Sequence, residues 1–532
     1  RMQRKCENTR FLHRIKAERE EECVMNTVQI LMMLTILIYL AAMIWIGAIL
    51  SGKNRTTDDF YLGGRKLGPF VTAMSAEASD MSSWLLMGLP GVAYLTGTAD
   101  AAWTAIGLAI GTYVNWLLVA KRLRNYTHVC NNSTTLPLFF SNRYRDEKRV
   151  LSVIAAVLII IFFVPYTASG FAACGKLFAN LFGLDYVPAM IISAIVIVAY
   201  TTLGGFLAAS TTDFVQSIVM TLAIIVVFGF GITKVGSFEA VMANAQSMAG
   251  YFSLTQIHDA ATGTALPYGI LTIFSMLAWG LGYFGMPHVL LRFMAIEDVK
   301  KLKLSRRVAT VWVVISMFVA VFIGVVGNAM SKVGVIPTLE DPETIIIVVA
   351  GVISQHGVLA AIVAGLILAG ILAATMSTAD SQLLAASSSA SQNILKEVFM
   401  KDMSEKTGML IARITVLIIA LIGVFIARDP NSSVFQIVSF AWAGFGASFG
   451  PLVLMALFWK RSTLQGALAG MVSGGVMVFV WKFLIRPMGG ALGIYELLPA
   501  FLVGLAVNVI VSLLTPVPSK EIQDEFEKVA KM

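Results

Sequence analysis

The sequence predicts an all-α polytopic membrane protein with about 13 transmembrane helices, and three observations carry that expectation. Of its 532 residues, 57% are hydrophobic and only 13% are charged, with a mean hydropathy of +0.80. An average soluble domain is about 45–50% apolar and about 25% charged, so a chain of this balance in water exposes more apolar surface than it can cover. Apolar runs long enough to cross about 30 Å of hydrocarbon recur along the whole chain. Lys and Arg are concentrated in alternate loops, as the positive-inside rule requires.

The uninterrupted runs are 28–50, 150–170, 187–208, 214–233, 308–326, 358–374, 410–427, 467–480 and 498–514. Those at 70–95, 102–120, 271–289 and 434–459 are interrupted by polar residues, Gly or Pro. With the N-terminus outside and the C-terminus inside, the basic residues of 53–66, 121–149, 292–307, 396–413 and 460–461 and the tail fall on the inner side. Lys176, Lys234, Lys332, Arg428, Lys482 and Arg486 fall outside. This bias supports an odd number of spans. Residues 1–24 are basic and glutamate-rich, fit that orientation badly, and precede Met25 just ahead of the first span. They read as an upstream extension or a disordered N-terminus, leaving 25–515 as a single transmembrane domain and 516–532 as a cytoplasmic tail.

The pI of 9.2 follows from these inner anchors and does not point to nucleic acid. Cys6, Cys23, Cys130 and Cys174 form neither a CxxC pair nor a metal spacing, so no disulfide framework is expected. There is no phosphate loop for ATP and no HExxH zinc motif, and no nucleophile elbow of the GxSxG type is expected. His288 near a helix end and His356 before a span read as structural or interface residues. The longest candidate loops, 121–149 and 234–264, are too short for a soluble domain. An enzyme is not expected, nor an obligate protein partner.

Function is expected where the spans break their own rules, because charge inside a membrane is costly and usually has a task. The second span carries Glu77, Ser79, Asp80, Ser82 and Ser83 between apolar flanks. An unwound segment there frees carbonyls and hydroxyls to coordinate a small hard cation; the plainer reading is hydroxyls gluing helices together. Gly280, Gly282, Gly285 and Pro287 interrupt the seventh span, five spans further on. Discontinuous helices at matching positions mark inverted repeats, here spans 2–6 and 7–11, with one helix before and two after. The same glycines also suit close packing. A third polar patch, 373–382, ends span 9; it offers adjacent hydroxyls on Ser377 and Thr378, and sets Ser377 and Ser381 on one face. Asp213 opens span 6, where an aspartate in a first turn also serves the helix dipole.

At these residues the chain resembles a known family. Phe60-Tyr-Leu-Gly-Gly-Arg65, Ser79-Asp-Met-Ser82, Trp84-Leu-Leu-Met-Gly-Leu-Pro-Gly91, Trp279-Gly-Leu-Gly-Tyr-Phe-Gly285 and Met376-Ser-Thr378 resemble the sodium:solute symporter family, and within it the bacterial sodium/proline symporters. Arg461, Gly466, Ala467 and Gly470 resemble that family's C-terminal signature, and the similarity runs over 25–516. The resemblance implies a LeuT-type 5+5 inverted repeat and sodium-coupled import of L-proline by alternating access, in the bacterial cytoplasmic membrane. It implies a sodium site between spans 2 and 9, built from the carbonyls of Ala78, Met81 and Ala374 and the hydroxyls of Ser377 and Thr378, with Asp80 tied to sodium affinity. Ser82, Tyr166, Trp279, Tyr283 and Pro287 match positions near the substrate. Proline is a compact zwitterion, so aromatic faces suit its ring and cation and a half-helix N-terminus its carboxylate. Relatives with two bound sodium ions use an aspartate at the position of Asp213 and hydroxyls on span 9. This marks Asp213, Asp380 and Ser381 as a second cation waystation, where two carboxylates need a shared proton or cation. Glu77, Ser83 and Met286 depart from the family pattern. Rival readings are a sodium symporter of the same family for another small organic solute such as pantothenate, a membrane sensor that binds a solute without moving it, and a channel.

Overall fold

The computed structural model describes residues 26–51, 56–399 and 403–532. The extension assigned to 1–24, with Cys6 and Cys23, lies outside the described residues. In chain order the helices are α1 (Thr27–Ser51), α2 (Pro69–Asp80), α3 (Leu89–Thr96), α4 (Thr98–Val114), α5 (Ala120–Val129), α6 (Leu136–Arg143), α7 (Val150–Phe182) and α8 (Tyr186–Val235). After α9 (Phe238–Ser247), strands β1 (Gln256–Asp259) and β2 (Thr264–Pro267) form an antiparallel hairpin. Then come α10 (Ile270–Leu277), α11 (Pro287–Ala295), α12 (Leu302–Lys332), α13 (Ile345–Ser354), α14 (Val358–Ser388) and α15 (Glu405–Ile426). The chain closes with α16 (Val434–Phe458), α17 (Leu464–Val480), α18 (Leu497–Leu514) and α19 (Lys520–Ala530).

Among the described residues, 10 helices are long and apolar enough to cross a membrane, and the pair Ile270–Gly285 and Pro287–Ala295, bent by 47°, makes an eleventh path. Two further paths are the interrupted α2–α3 and the part of α8 that precedes Gly205. With them the expected 13 spans are present. Gly205 has φ 70° and ψ −179°, a backbone only glycine adopts without strain, and there α8 divides into spans 5 and 6. A short helix follows the second span of each repeat, α6 in the first and α13 in the second. Five spans per repeat, an odd number, send the second repeat through in the opposite direction.

Both breaks lie where the sequence places them. Pro69 at the first turn starts α2. Met81, at φ −78° and ψ 66°, leaves the helix, and the chain re-enters through a wide turn, Trp84–Gly88. In span 7, α10 tightens into a 3-10 segment over Ala278–Gly285, then bends at Met286 into α11, which Pro287 starts. The packing role of the span 7 glycines holds as well. A Cβ on Gly280 would strike the backbone of Gly107 and Gly111, one on Gly282 the Trp442 ring, and one on Gly285 the Phe445 carbonyl.

On one face of the molecule, Glu343 fastens the repeats together. Its carboxylate accepts from Lys176 Nζ of α7 (2.8 Å), Ser433 Oγ (2.8 Å) and the amides of Val434 and Phe435 (3.0 Å each). A negative group at the first turn of α16 is the favourable end of that dipole. On the opposite face, the tail helix α19 folds back, with the Phe526 ring under the Arg122 guanidinium at 4.8 Å.

Several expected boundaries change. The stretch 121–149 is not a loop, because it contains most of α5 and all of α6; 234–264 holds α9 and β1. The patch 373–382 does not end span 9, since α14 continues unbroken to Ser388. Asp213 does not open a helix: it lies eight residues past the Gly205 bend, inside α8. Arg292 is no loop anchor, being on α11 and 1% exposed. The stretch Gly446-Ala447-Ser448-Phe449-Gly450 matches a nucleophile-elbow pattern in letters, but it lies within continuous α16 and not in a strand-to-helix turn.

Because α4 and span 7 touch backbone to backbone at Gly111 and Gly280, Gly111→Val is expected to cost about 1–3 kcal/mol through overpacking. Thermal unfolding of the purified protein measures it; an unchanged unfolding temperature would refute the close crossing.

Candidate functional site

A helix that ends inside a membrane leaves its last carbonyls without intrahelical partners, and each must be satisfied by the protein. At the end of α2 the amide of Met81 takes the Glu77 carbonyl (2.8 Å). The Ala78 carbonyl instead accepts from Ser377 Oγ of α14 at 2.8 Å, and Ser377 Oγ lies 3.2 Å from the Ala374 carbonyl. Three oxygens thus converge around one hydroxyl proton. Thr378 Oγ1, one residue on, is buried without a hydrogen-bond partner among the described residues. Carbonyls and hydroxyls without a carboxylate are ligands for a weakly held monovalent cation. Of the five expected ligands, Ala78, Ala374 and Ser377 are brought together, Thr378 is adjacent on α14, and Met81 is the residue at which α2 unwinds.

Asp80 joins this cluster to the aromatic residues. Its carbonyl lies within hydrogen-bond distance of three donors, the Ser82 amide (2.9 Å), the Tyr166 hydroxyl (3.2 Å) and Trp84 Nε1 (3.4 Å). Its carboxylate accepts from the Tyr283 hydroxyl at 2.7 Å. Two expected substrate residues therefore hold the residue expected to govern sodium. Ser82 Oγ, in turn, receives the Trp84 amide at 3.4 Å and supports the wide turn. Pro287 contributes the bend, four residues past Tyr283.

Around Trp279 stands an aromatic cage. Its ring lies 5.1 Å from Tyr495, 5.4 Å from Phe435, 5.9 Å from Trp84 and 6.2 Å from Trp442. Tyr283 meets Trp442 edge-on at 5.2 Å. Trp442 Nε1 donates to the Trp279 carbonyl at 2.8 Å, satisfying backbone that the 3-10 segment leaves open. Each such ring pair is worth about 0.5–1.5 kcal/mol beyond burial. Phe435, Trp442 and Tyr495 were not singled out from the sequence, and Trp84 entered only within a family motif. The Ala and Gly residues flanking Trp442 are the local signal that a large ring there is closely surrounded.

The departures have definite places. Glu77 turns away from α14: its Oε1 accepts from Thr112 Oγ1 (2.9 Å) and Trp116 Nε1 (2.8 Å) on span 3. Ser83 Oγ is buried without a partner among the described residues, and Met286 caps α11. His288 is buried with its ring 5.7 Å from that of Phe163, and neither ring nitrogen has a hydrogen-bond partner among the described residues.

Asp213, Asp380 and Ser381 do meet, around a cation that sequence reasoning missed. Arg292 donates to Asp213 Oδ2 (3.1 Å), Ser381 Oγ (2.5 Å), Ser75 Oγ (2.9 Å) and the His288 carbonyl (3.0 Å). Ser75 Oγ also donates to Asp213 Oδ2 at 2.6 Å, and Ser381 Oγ to Asp380 Oδ1 at 3.2 Å. The guanidinium carbon lies 4.9 Å from the Phe206 ring centre, just past the Gly205 bend. Asp213 is thus an ion-pair partner and not a helix-end group contacting amides. The cluster sets two carboxylates, those of Asp213 and Asp380, against one guanidinium. Arg292 escaped notice because an arginine closing an apolar run reads as a membrane-edge anchor.

Two broken helices, one in each inverted repeat, with a hard-oxygen cluster at one break and an aromatic cluster at the other, are the architecture of a membrane carrier. The sequence model of the sodium:solute symporter family matches residues 60–474, and the chain belongs to that family. It is 42% identical over 505 residues to the sodium/proline symporter of Haemophilus influenzae, covering 94% of this chain and 97% of that protein. It is 40% identical over 484 residues to the osmoregulated proline transporter OpuE of Bacillus subtilis, covering 91% and 94%. A solved structure of a Na+-coupled sialic acid symporter, in a substrate-bound outward-open state, shares the fold, with TM-score 0.76 and 17% identity over 92% of this chain and 99% of that one.

Removing one partner of a buried ion pair costs about 3–5 kcal/mol. Arg292→Gln is therefore expected to lower the unfolding temperature of the purified protein by several degrees. Adding Asp213→Asn to that variant should cost less than Asp213→Asn costs alone, with a coupling of about 2 kcal/mol. Strictly additive losses would separate the two residues energetically.

Proposed function

We propose that this chain imports L-proline together with sodium by alternating access across a bacterial cytoplasmic membrane. The observation that carries the reading is the Ser377 hydroxyl bridging to Ala78 at the α2 break, two residues before the Asp80 that Tyr166 and Tyr283 both hold. Ala78, Met81, Ala374, Ser377 and Thr378 hold the sodium ion, and the cage around Trp279 holds the proline ring, with Ser82, Tyr166, Tyr283 and Pro287 beside it. The names of the Haemophilus influenzae and Bacillus subtilis relatives support proline as the solute. The basic loops face the cytoplasm, placing the N-terminus of the membrane domain outside and the C-terminus inside.

The coupling is geometric. A cation drawing Ala78 and Ser377 together fixes the end of α2 against α14, and that fixes Asp80 and the two tyrosines. The substrate stabilises the same arrangement from the cage side, so each ligand raises the affinity of the other by the same factor. The two carboxylates set against one guanidinium at Asp213, Asp380 and Arg292 give a departing sodium ion a transient waystation next to Ser381. Asp380→Asn should slow turnover while proline affinity at saturating sodium stays within about twofold, because only the exit step is impeded. Lost affinity with normal turnover would remove the waystation.

Radiolabelled proline uptake into proteoliposomes tests the whole reading. Uptake should need inward sodium and should accelerate under an inside-negative potential, since one moved charge gains about 2.3 kcal/mol per 100 mV. Trp279→Ala should weaken proline binding by at least about tenfold at saturating sodium. Unchanged uptake with choline in place of sodium would overturn the reading.

A further inference from the structure

A cavity of 280 Å³ lies away from the site, between α1, the C-terminal part of α7, the first part of α8, and α14. Leu37, Leu40, Phe178, Ile192, Leu372 and Met376 are among its lining residues. Its hydroxyl, that of Ser193, is already spent on the Ala189 carbonyl at 2.8 Å. No charged side chain lines it, so nothing there holds water, and an apolar cavity of this kind stays dry or fills with hydrocarbon. The mouth is continuous with the lipid-facing surface of the bundle: Leu37 and Ile192 are 53% and 62% exposed, and neighbouring Ile38 and Ile195 are exposed as well. The volume lies just below the range of about 300–1,000 Å³ for small-molecule pockets, which suits part of one hydrocarbon chain, and the apolar lining excludes a polar headgroup.

We propose that this cavity binds one acyl chain of a bilayer phospholipid, and that the chain tunes the cation site through α14. Met376 directly precedes Ser377, and Leu372 lies one turn before it. The chain therefore packs on the back of the turn whose front presents Ser377 and Thr378. α1, which stands outside both repeats, forms the outer wall. An occupant there holds α14 in register against α2, and linkage makes sodium affinity depend on occupancy. This second statement rests on the sodium reading; the binding of the chain does not.

The test uses the full chain in vesicles of phosphatidylethanolamine and phosphatidylglycerol, with a phosphatidylethanolamine bearing a diazirine near the end of one acyl chain. After photolysis, mass spectrometry should find adducts on peptides carrying Ser193 and Met376 at several-fold the yield seen on the exposed α15 face around Leu421. Ser193→Trp, which fills the cavity, should abolish the cavity adducts and leave α15 labelling unchanged. Should that variant fail to fold, Leu37→Trp at the exposed mouth serves the same purpose. Equal yields at both places, or cavity adducts that survive the tryptophan, would overturn the binding site. In the wild type the half-saturating sodium concentration for proline binding should vary several-fold with acyl-chain length; in the blocked variant, where the tryptophan is a fixed occupant, that variation should disappear. Labelling that is blocked without any change in that variation would keep the lipid site and refute its link to the cation.

Discussion

Within a bilayer a backbone carbonyl has no water to fall back on, so a helix that stops at mid-depth needs its last carbonyls satisfied by other elements. At the end of α2 the Ala78 carbonyl takes its hydrogen bond from Ser377, 299 residues away. The Asp80 carbonyl is reached by donors from its own turn and from Tyr166 of α7. The break persists because α14, α7 and the turn itself supply what a continuous helix would have supplied to itself. Those same oxygens are the ones a small cation can share, and the same tyrosine belongs to the aromatic side of the site. One local constraint therefore joins the proposed cation ligands, the proposed substrate residues and the packing of both repeats.

A second constraint lies one helical turn or more away and is electrostatic. A guanidinium inside a membrane is tolerated only when paired and fully hydrogen-bonded. Arg292 meets that condition through Asp213 on α8, Ser381 on α14, Ser75 on α2 and the carbonyl of His288 on its own helix. It thus ties the second half of broken span 7 to the first half of broken span 2 and to the helix that carries Ser377. Movement of one repeat against the other must carry this hub along as a body or exchange its partners. Glu343 plays the corresponding part on the opposite face, where it links α7 and the start of α16 to the short helix between spans 8 and 9.

Much of this was legible in the residues. Composition and apolar run length give the spans, because hydrocarbon demands them directly. The polar run at Glu77–Ser83 and the glycines of span 7 give both breaks, because continuous helices have no use for either. The pairing of Ala78 with Ser377 came only from family resemblance, since no local pattern connects residues so far apart. Trp442 and Tyr495 join the cage by long-range packing, Trp442 from 163 residues beyond Trp279. Arg292 was hidden by position, as a basic residue at the end of an apolar run has the same appearance whether it snorkels outward or turns in. The helix α5 was hidden by its polarity, being the charged continuation of span 3, and α6 by its length, since its eight mostly buried residues are too few for a span.

The central claim is that the α2 break and α14 together form a cation site coupled to the cage. Equilibrium binding of radiolabelled proline to the purified protein, titrated with sodium for the wild type, Ser377→Ala and Thr378→Ala, measures it most directly. Each substitution removes one ligand oxygen, so the half-saturating sodium concentration should rise about tenfold, with proline affinity restored at saturating sodium. Sodium curves that coincide with that of the wild type would contradict the account.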